Sequence, residues 1–118
     1  MRIPKSLRDK VIAREDHCCI RCGQWAEGGS LHHRVMRSQG GRNTIENLVL
    51  VCGSGITGCH GWAHHNRTDA LAERLLVRSF DDPATTPVRV YGHGWVLLTA
   101  AGTYQPSTAP TEPLGGAA

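Results

Sequence analysis

Aromatic side chains are scarce in this sequence: three Trp, two Tyr and one Phe among 118 residues. That is too few to argue for a groove lined by stacking rings. Trp25, Trp62 and Trp95 are instead read as core or lid packing. Long apolar runs are absent as well. No stretch approaches the roughly 18 to 20 consecutive apolar residues that a membrane helix needs, so a membrane partner is not expected. The N-terminal segment MRIPKSLRDK carries charge where a signal peptide has its apolar run. Five cysteines, an odd number without a secretion signal, argue against a disulfide framework. The chain therefore reads as soluble and cytoplasmic, in a reducing compartment. Lysine is nearly missing: of the 13 basic residues, eleven are Arg. Arginine suits bidentate phosphate contacts, though a GC-rich coding sequence produces the same bias.

What is present points to one small domain. With 40% apolar and 19% charged residues, the chain is too apolar for wholesale disorder. At this length a core is modest and benefits from a staple. The net charge of +3 hides an asymmetry: residues 1–67 hold 10 bases and 5 acids, and residues 68–118 hold 3 bases and 5 acids. The positive half is also the half with the Cys and most of the His residues.

Ile3, Leu7 and Val11 recur at helical spacing, widened by Ile12, which predicts a helix over 3–15 opened by Pro4. Leu31 to Met36 and Asn47 to Cys52 read as strands, separated by a Gly-containing loop. Cys59 to His65 and Asp69 to Arg78 read as helices. Val88–Tyr91 and Trp95–Thr99 flank Gly92-His93-Gly94, the pattern of a terminal hairpin. After Tyr104 the sequence is mostly Pro, Thr, Ala and Gly. The expected domain is thus 1–104 with a core at 19–67, and 105–118 is expected to be a disordered tail.

Cys19-x-x-Cys22-Gly23 has the spacing of a zinc knuckle, in which two thiolates from one tight turn bind one side of a tetrahedral ion. Cys52 and Cys59 are farther apart than a usual second pair, but Gly53, Gly55 and Gly58 give a loop that can bring them together. A four-cysteine structural zinc site follows, stapling segments distant in sequence. Cys18 is an alternative to Cys19, and inert buried thiols or a redox pair are the plainer reading. His60 and His64 stand one helical turn apart and share a face, a spacing with which helices bind metals. Either could also serve as a substitute zinc ligand. His32 and His33 point to opposite sides of a strand, so one can ligate a metal while the other accepts a proton. Taken alone, an adjacent His pair is an ordinary polar surface feature. His17, His65 and His93 are read as surface or satisfied polar groups.

The ordered series of these pieces, from Cys19 to His64, resembles the HNH endonuclease family. It runs Cys19-x-x-Cys22-Gly23, Leu31-His32-His33-Arg34, Gly40-Gly41, Asn47-Leu48-Val49-Leu50-Val51-Cys52, then Gly58-Cys59-His60 with His64 one turn on. The flanks are similar to small bacteriophage proteins of this family. The resemblance implies an α+β fold. Its ββα-metal (His-Me finger) core would carry an N-terminal helix, a structural zinc knuckle and a C-terminal hairpin. It implies that His33 is the general base and that Asn47 tethers the inter-strand loop. It makes His32, His60 and His64 ligands of a catalytic divalent metal, and Cys19, Cys22, Cys52 and Cys59 the structural zinc ligands. Three imidazoles favour Mn, Ni, Zn or Co over Mg. The implied activity is metal-dependent hydrolysis of DNA phosphodiesters, nicking one strand as a monomer or weak dimer. Arg34, Arg37 and Arg42 flank the site and are candidates for holding DNA phosphates. Two other expectations stand beside this one: a non-catalytic zinc module that binds DNA or protein, and a packaging accessory acting with a phage terminase.

Overall fold

A computed structural model describes residues 2–110 of the chain. Helix α1 spans Lys5–Arg14. Pro4 presets the entry, its carbonyl accepting the Arg8 N–H at 3.0 Å, and Lys5 pairs with Asp9 one turn on. Asp16 and His17 end the helix by turning left-handed, at φ 54° and 61°, a conformation costly for non-glycine residues. Val11 is fully buried in the core, and Ile3, Leu7 and Ile12 pack against that core.

The chain then tightens into the Cys19–Cys22 knuckle, closed by a bridge between Cys18 and Trp25. Strand β1, Ser30–His33, pairs antiparallel with β2, Leu48–Val51, in the register Ser30↔Val51 through His33↔Leu48. All four β2 residues are buried, because α1 packs on this strand and so does helix α2, Gly58–His65. The knuckle is laced into this layer. Ile20 N–H donates to Leu50 O at 2.9 Å, and Ile20 O accepts from Tyr91 N–H at 2.9 Å.

Helix α3 covers Arg67–Ala72. It is shorter than the helix expected over Asp69–Arg78, because Arg74 turns left-handed at φ 59°. The apolar run Leu75–Val77 continues instead as buried non-helical chain, with Leu76 N–H donating to Ala70 O and Val77 N–H to Arg34 O. Strands β3 (Val88–Val90) and β4 (Gly94–Leu98) form the expected hairpin, but a third strand, β5 (Tyr104–Pro106), adds to its edge. Strand β5 thus includes Gln105 and Pro106, which the sequence reading placed in the tail. An edge position tolerates Pro106, which has no N–H to offer. Residues 111–118 of that expected tail lie outside the described residues.

What holds β5 is a buried polar cluster. The Glu15 carboxylate accepts the Tyr104 hydroxyl at 2.8 Å, the Leu50 N–H at 3.0 Å and two nitrogens of Arg14 at 2.6 and 2.9 Å. Arg14 also donates to the carbonyls of Ile45 and Leu48. The pair is buried on both sides, with every strong acceptor occupied, as a buried charge requires.

Candidate metal centre and active site

Two clusters of metal-ligating side chains meet at the start of α2, one through Cys59 and the other through His60. The first joins Cys19 and Cys22 of the knuckle to Cys52, just past β2, and Cys59, in the first turn of α2. Their sulfurs all lie within 4.8 Å of one another. The Cys22–Cys52 separation is 3.7 Å, close to the roughly 3.8 Å edge of a tetrahedron built with Zn–S bonds of about 2.3 Å. The wide gap from Cys52 to Cys59 is closed by its own hydrogen bonds. His60 N–H donates to Cys52 O, Cys59 N–H donates to Cys52 Sγ at 3.3 Å, and Ser54 and Thr57 bond each other. Gly58, at φ +61°, presses on the Cys52 carbonyl so closely that a Cβ there would collide. Burial raises the Cys52 thiol, but the Cys59 N–H and the neighbouring thiols outweigh it and leave Cys52 below its ordinary value.

Cys18 stays outside the cluster. Arg21, which the sequence did not single out, covers the cluster instead. Its guanidinium lies 3.5 Å over the Trp62 ring, bonds Glu73 at 3.0 Å and reaches Cys59 Sγ at 3.6 Å. Trp62 packs against the core with Arg21 over its ring, whereas Trp25 is 62% exposed and stacks on His17, so it is not core packing as expected.

The second cluster is His32 from β1 with His60 and His64 from α2, whose ligand nitrogens again lie within 4.8 Å. Ring centroids are 5.4 Å apart for His32–His60 and 5.0 Å for His60–His64. His32 Nε2 sits 2.9 Å from the Leu75 carbonyl. A carbonyl only accepts, so Nε2 carries the hydrogen and Nδ1 keeps its lone pair. Burial, then the nearby imidazoles, pushes His32 down to about 3 despite the Leu75 bond. Burial, His64 and His33 lower His60 as well. Neutral imidazoles are the form that binds metal. His60 Nδ1 is buried and has no hydrogen-bond partner among the described residues. An orphaned donor or acceptor of this kind is costly, and an ion ligated through Nδ1 would remove the cost. The residues present therefore fit a divalent metal.

His33, half-buried, occupies the next position on β1, and its Nε2 lies 2.7 Å from Asn43 Oδ1. Asn47, which is 1% exposed, clamps the loop between the strands. Its Oδ1 accepts Val35 N–H at 2.7 Å, and its Nδ2 donates to the carbonyls of Val35 and Arg42.

Arg34 departs from the sequence reading. It was a candidate for binding phosphate, but it is fully buried. Its guanidinium donates to the carbonyls of Arg74, Glu46, Pro83, Thr86 and Pro87, which leaves it unreachable by DNA. Burial, with Arg14 and Arg74 nearby, lowers it to about 9; five carbonyl acceptors keep it charged at neutral pH. Arg37 and Arg42 are exposed on the loop.

Against known families, the model for HNH endonucleases matches residues 19–66. That segment is similar to the HNH endonuclease family. No curated protein and no solved structure matches the chain. The HNH segment contains both clusters, His33 and Asn47, together with Arg21 and Asn43, which sequence reasoning passed over. Asn43 stands four residues before Asn47 in a loop of unknown path, and the sequence held no signal that its amide meets His33. Among the described residues no helix is long and apolar enough to cross a membrane.

Proposed function

We propose that this protein is a metal-dependent DNA endonuclease in which His33 is the general base. The carrying observation is a fourth imidazole, anchored by Asn43, beside a cluster of three of which one has an orphaned buried nitrogen. With Nε2 occupied by Asn43, His33 accepts a proton from water through Nδ1, and the oxygen attacks phosphorus. The P–O3′ bond breaks, leaving a 5′-phosphate and a 3′-hydroxyl that takes its proton from solvent. His32, His60 and His64 would hold a divalent ion, whose positive charge offsets the negative charge that grows on the phosphate. The donor set suits Mn, Ni, Zn or Co better than Mg. Cys19, Cys22, Cys52 and Cys59 would hold a structural zinc ion, which fixes the start of α2. Arg37 and Arg42, exposed on the loop, would hold DNA backbone phosphates. One small domain with one such centre nicks a single strand.

Cleavage of supercoiled plasmid with Mn, Ni, Co, Zn and Mg, compared with His33→Ala, tests this reading. Conversion to open circles by the wild type, lost in a folded, zinc-loaded variant, is the expected result. Equal cleavage by both proteins refutes His33 as the base. No cleavage by either with any metal refutes the nuclease reading.

A further inference from the structure

The loop between β1 and β2 contains two asparagines, and the described bonds give them different work. Asn47 bonds only backbone of its own loop. Asn43 bonds the ring of His33 through Oδ1 at 2.7 Å and the carbonyl of Arg2 through Nδ2 at 3.4 Å. The second bond decides the meaning of the first. An amide can face a neighbour with either its oxygen or its nitrogen. A backbone carbonyl accepts and never donates, so the Asn43 nitrogen must be the atom that faces Arg2. In the reversed rotamer two oxygen lone pairs would oppose each other there. The oxygen therefore faces His33, and a carbonyl-type oxygen can only accept. His33 Nε2 must then carry the ring hydrogen, and the lone pair of the neutral ring is confined to Nδ1.

We infer that Asn43 is the positioning residue of the general base. It selects the tautomer of His33 and fixes the tilt of the ring through a side chain whose own orientation is set by the N-terminal segment. The inference rests on the reading of His33 as the base. The same logic holds His32, where Leu75 O takes the Nε2 hydrogen. Both imidazoles of β1 are thus anchored by Nε2 and expose Nδ1, one to a metal and one to water. Without Asn43 the His33 ring samples both tautomers and rotates, and only a fraction of molecules present a base to the water. Partners that orient a functional imidazole in this way are typically worth about 10- to 100-fold in activity.

The experiment uses the zinc-loaded full chain. Ring 15N NMR reports the His33 tautomer, and initial rates on a duplex substrate separate kcat from KM. For Asn43→Ala the expected result is loss of the single Nε2–H tautomer, with a drop in kcat of about 10- to 100-fold and little change in KM. Asn43→Asp keeps an acceptor opposite Nε2 but sets an oxygen against the Arg2 carbonyl, so it restores the tautomer and only part of kcat. An Nε2–H tautomer that persists in Asn43→Ala overturns the inference. So does a wild-type kcat in that variant, or an Asn43→Asp protein as impaired as Asn43→Ala. His33→Ala run in parallel separates the two levels. Wild-type cleavage by that variant refutes the base assignment, while the NMR readout still decides whether Asn43 sets the ring.

Discussion

Replacing Arg34 by Met is the sharpest test of how this fold is held. Arg34 is 0% exposed. Its five donors reach carbonyls in three separate segments, at 3.1 Å to Arg74 O, 3.2 Å to Glu46 O, 3.1 Å to Pro83 O, 2.8 Å to Thr86 O and 3.3 Å to Pro87 O. None of its described partners is a carboxylate, so the cation is stabilised by dipoles alone. Methionine of similar length fills the volume but donates nothing. A buried carbonyl left without a donor costs about 1–3 kcal/mol. The five costs do not add, because the guanidinium's own desolvation offsets part of the gain and some carbonyls will reach water by local opening. If two of the five stay buried, the loss is about 4 kcal/mol. That is a large fraction of the roughly 5–15 kcal/mol that stabilises a domain, and it lowers Tm by roughly 15–30 °C. Arg34→Lys keeps the charge but not the fork, and it recovers only part of this. Denaturant unfolding of the three proteins, alongside a DNA-binding titration, checks the reasoning. A loss below about 1 kcal/mol, or weakened DNA binding at unchanged stability, would refute it and return Arg34 to the phosphate-binding role its sequence context suggests.

Three further outcomes follow from the same bonds. Tyr104→Phe removes one 2.8 Å hydrogen bond from Glu15, which keeps Arg14 and the Leu50 N–H; it should cost about 1 kcal/mol in denaturant unfolding, and no loss would mean that β5 is not tied down there. Cys19→Ser should lower zinc per chain by colorimetric titration while Cys18→Ser leaves it unchanged, because only Cys19 joins the four-sulfur cluster; the reverse result sinks the assignment. His32 sits at about 3 in the folded chain, below its unfolded value of about 6.5, so the unfolded state binds the extra proton and stability falls as pH drops from about 6.5 toward about 3. Unfolding free energy of metal-stripped wild type should therefore fall more steeply than that of His32→Leu, by up to about 1.4 kcal/mol per pH unit near pH 5; parallel slopes would show that His32 is not buried as described.

Much of this arrangement was legible in the sequence. The helical spacing of Ile3, Leu7 and Val11, the apolar run 47–52 and the ordered Cys and His series located α1, β2 and both clusters, because each is a local pattern that packing leaves intact. Arg34 misled because charge next to His-His reads as a site. Its place two residues after His32 put it on the inward side, but nothing local announces carbonyls contributed from residues 74 and 83–87. The end of α3 was missed because Arg74 in a left-handed turn has no residue signature, and Leu75–Val77 continues the apolar pattern without the helix. Strand β5 was hidden in a Pro-containing stretch. Its stability comes from Tyr104 meeting a glutamate 89 positions earlier, a contact no window of sequence contains.

Cys59 and His60 are consecutive residues, yet one belongs to the sulfur cluster and the other to the imidazole cluster. The two centres are therefore joined through a single peptide unit, whose Cα atoms stand about 3.8 Å apart. Insertions in the 53–57 loop can lengthen the path to Cys52, and drift in β1 can move His32, but neither can slide one centre relative to the other along α2. Anyone redesigning this scaffold inherits the two centres as one part. A change of ligand type at position 59 or 60 is felt across that bond by the neighbouring site, and divergent relatives could exchange the surrounding loops freely while this dipeptide stays in step.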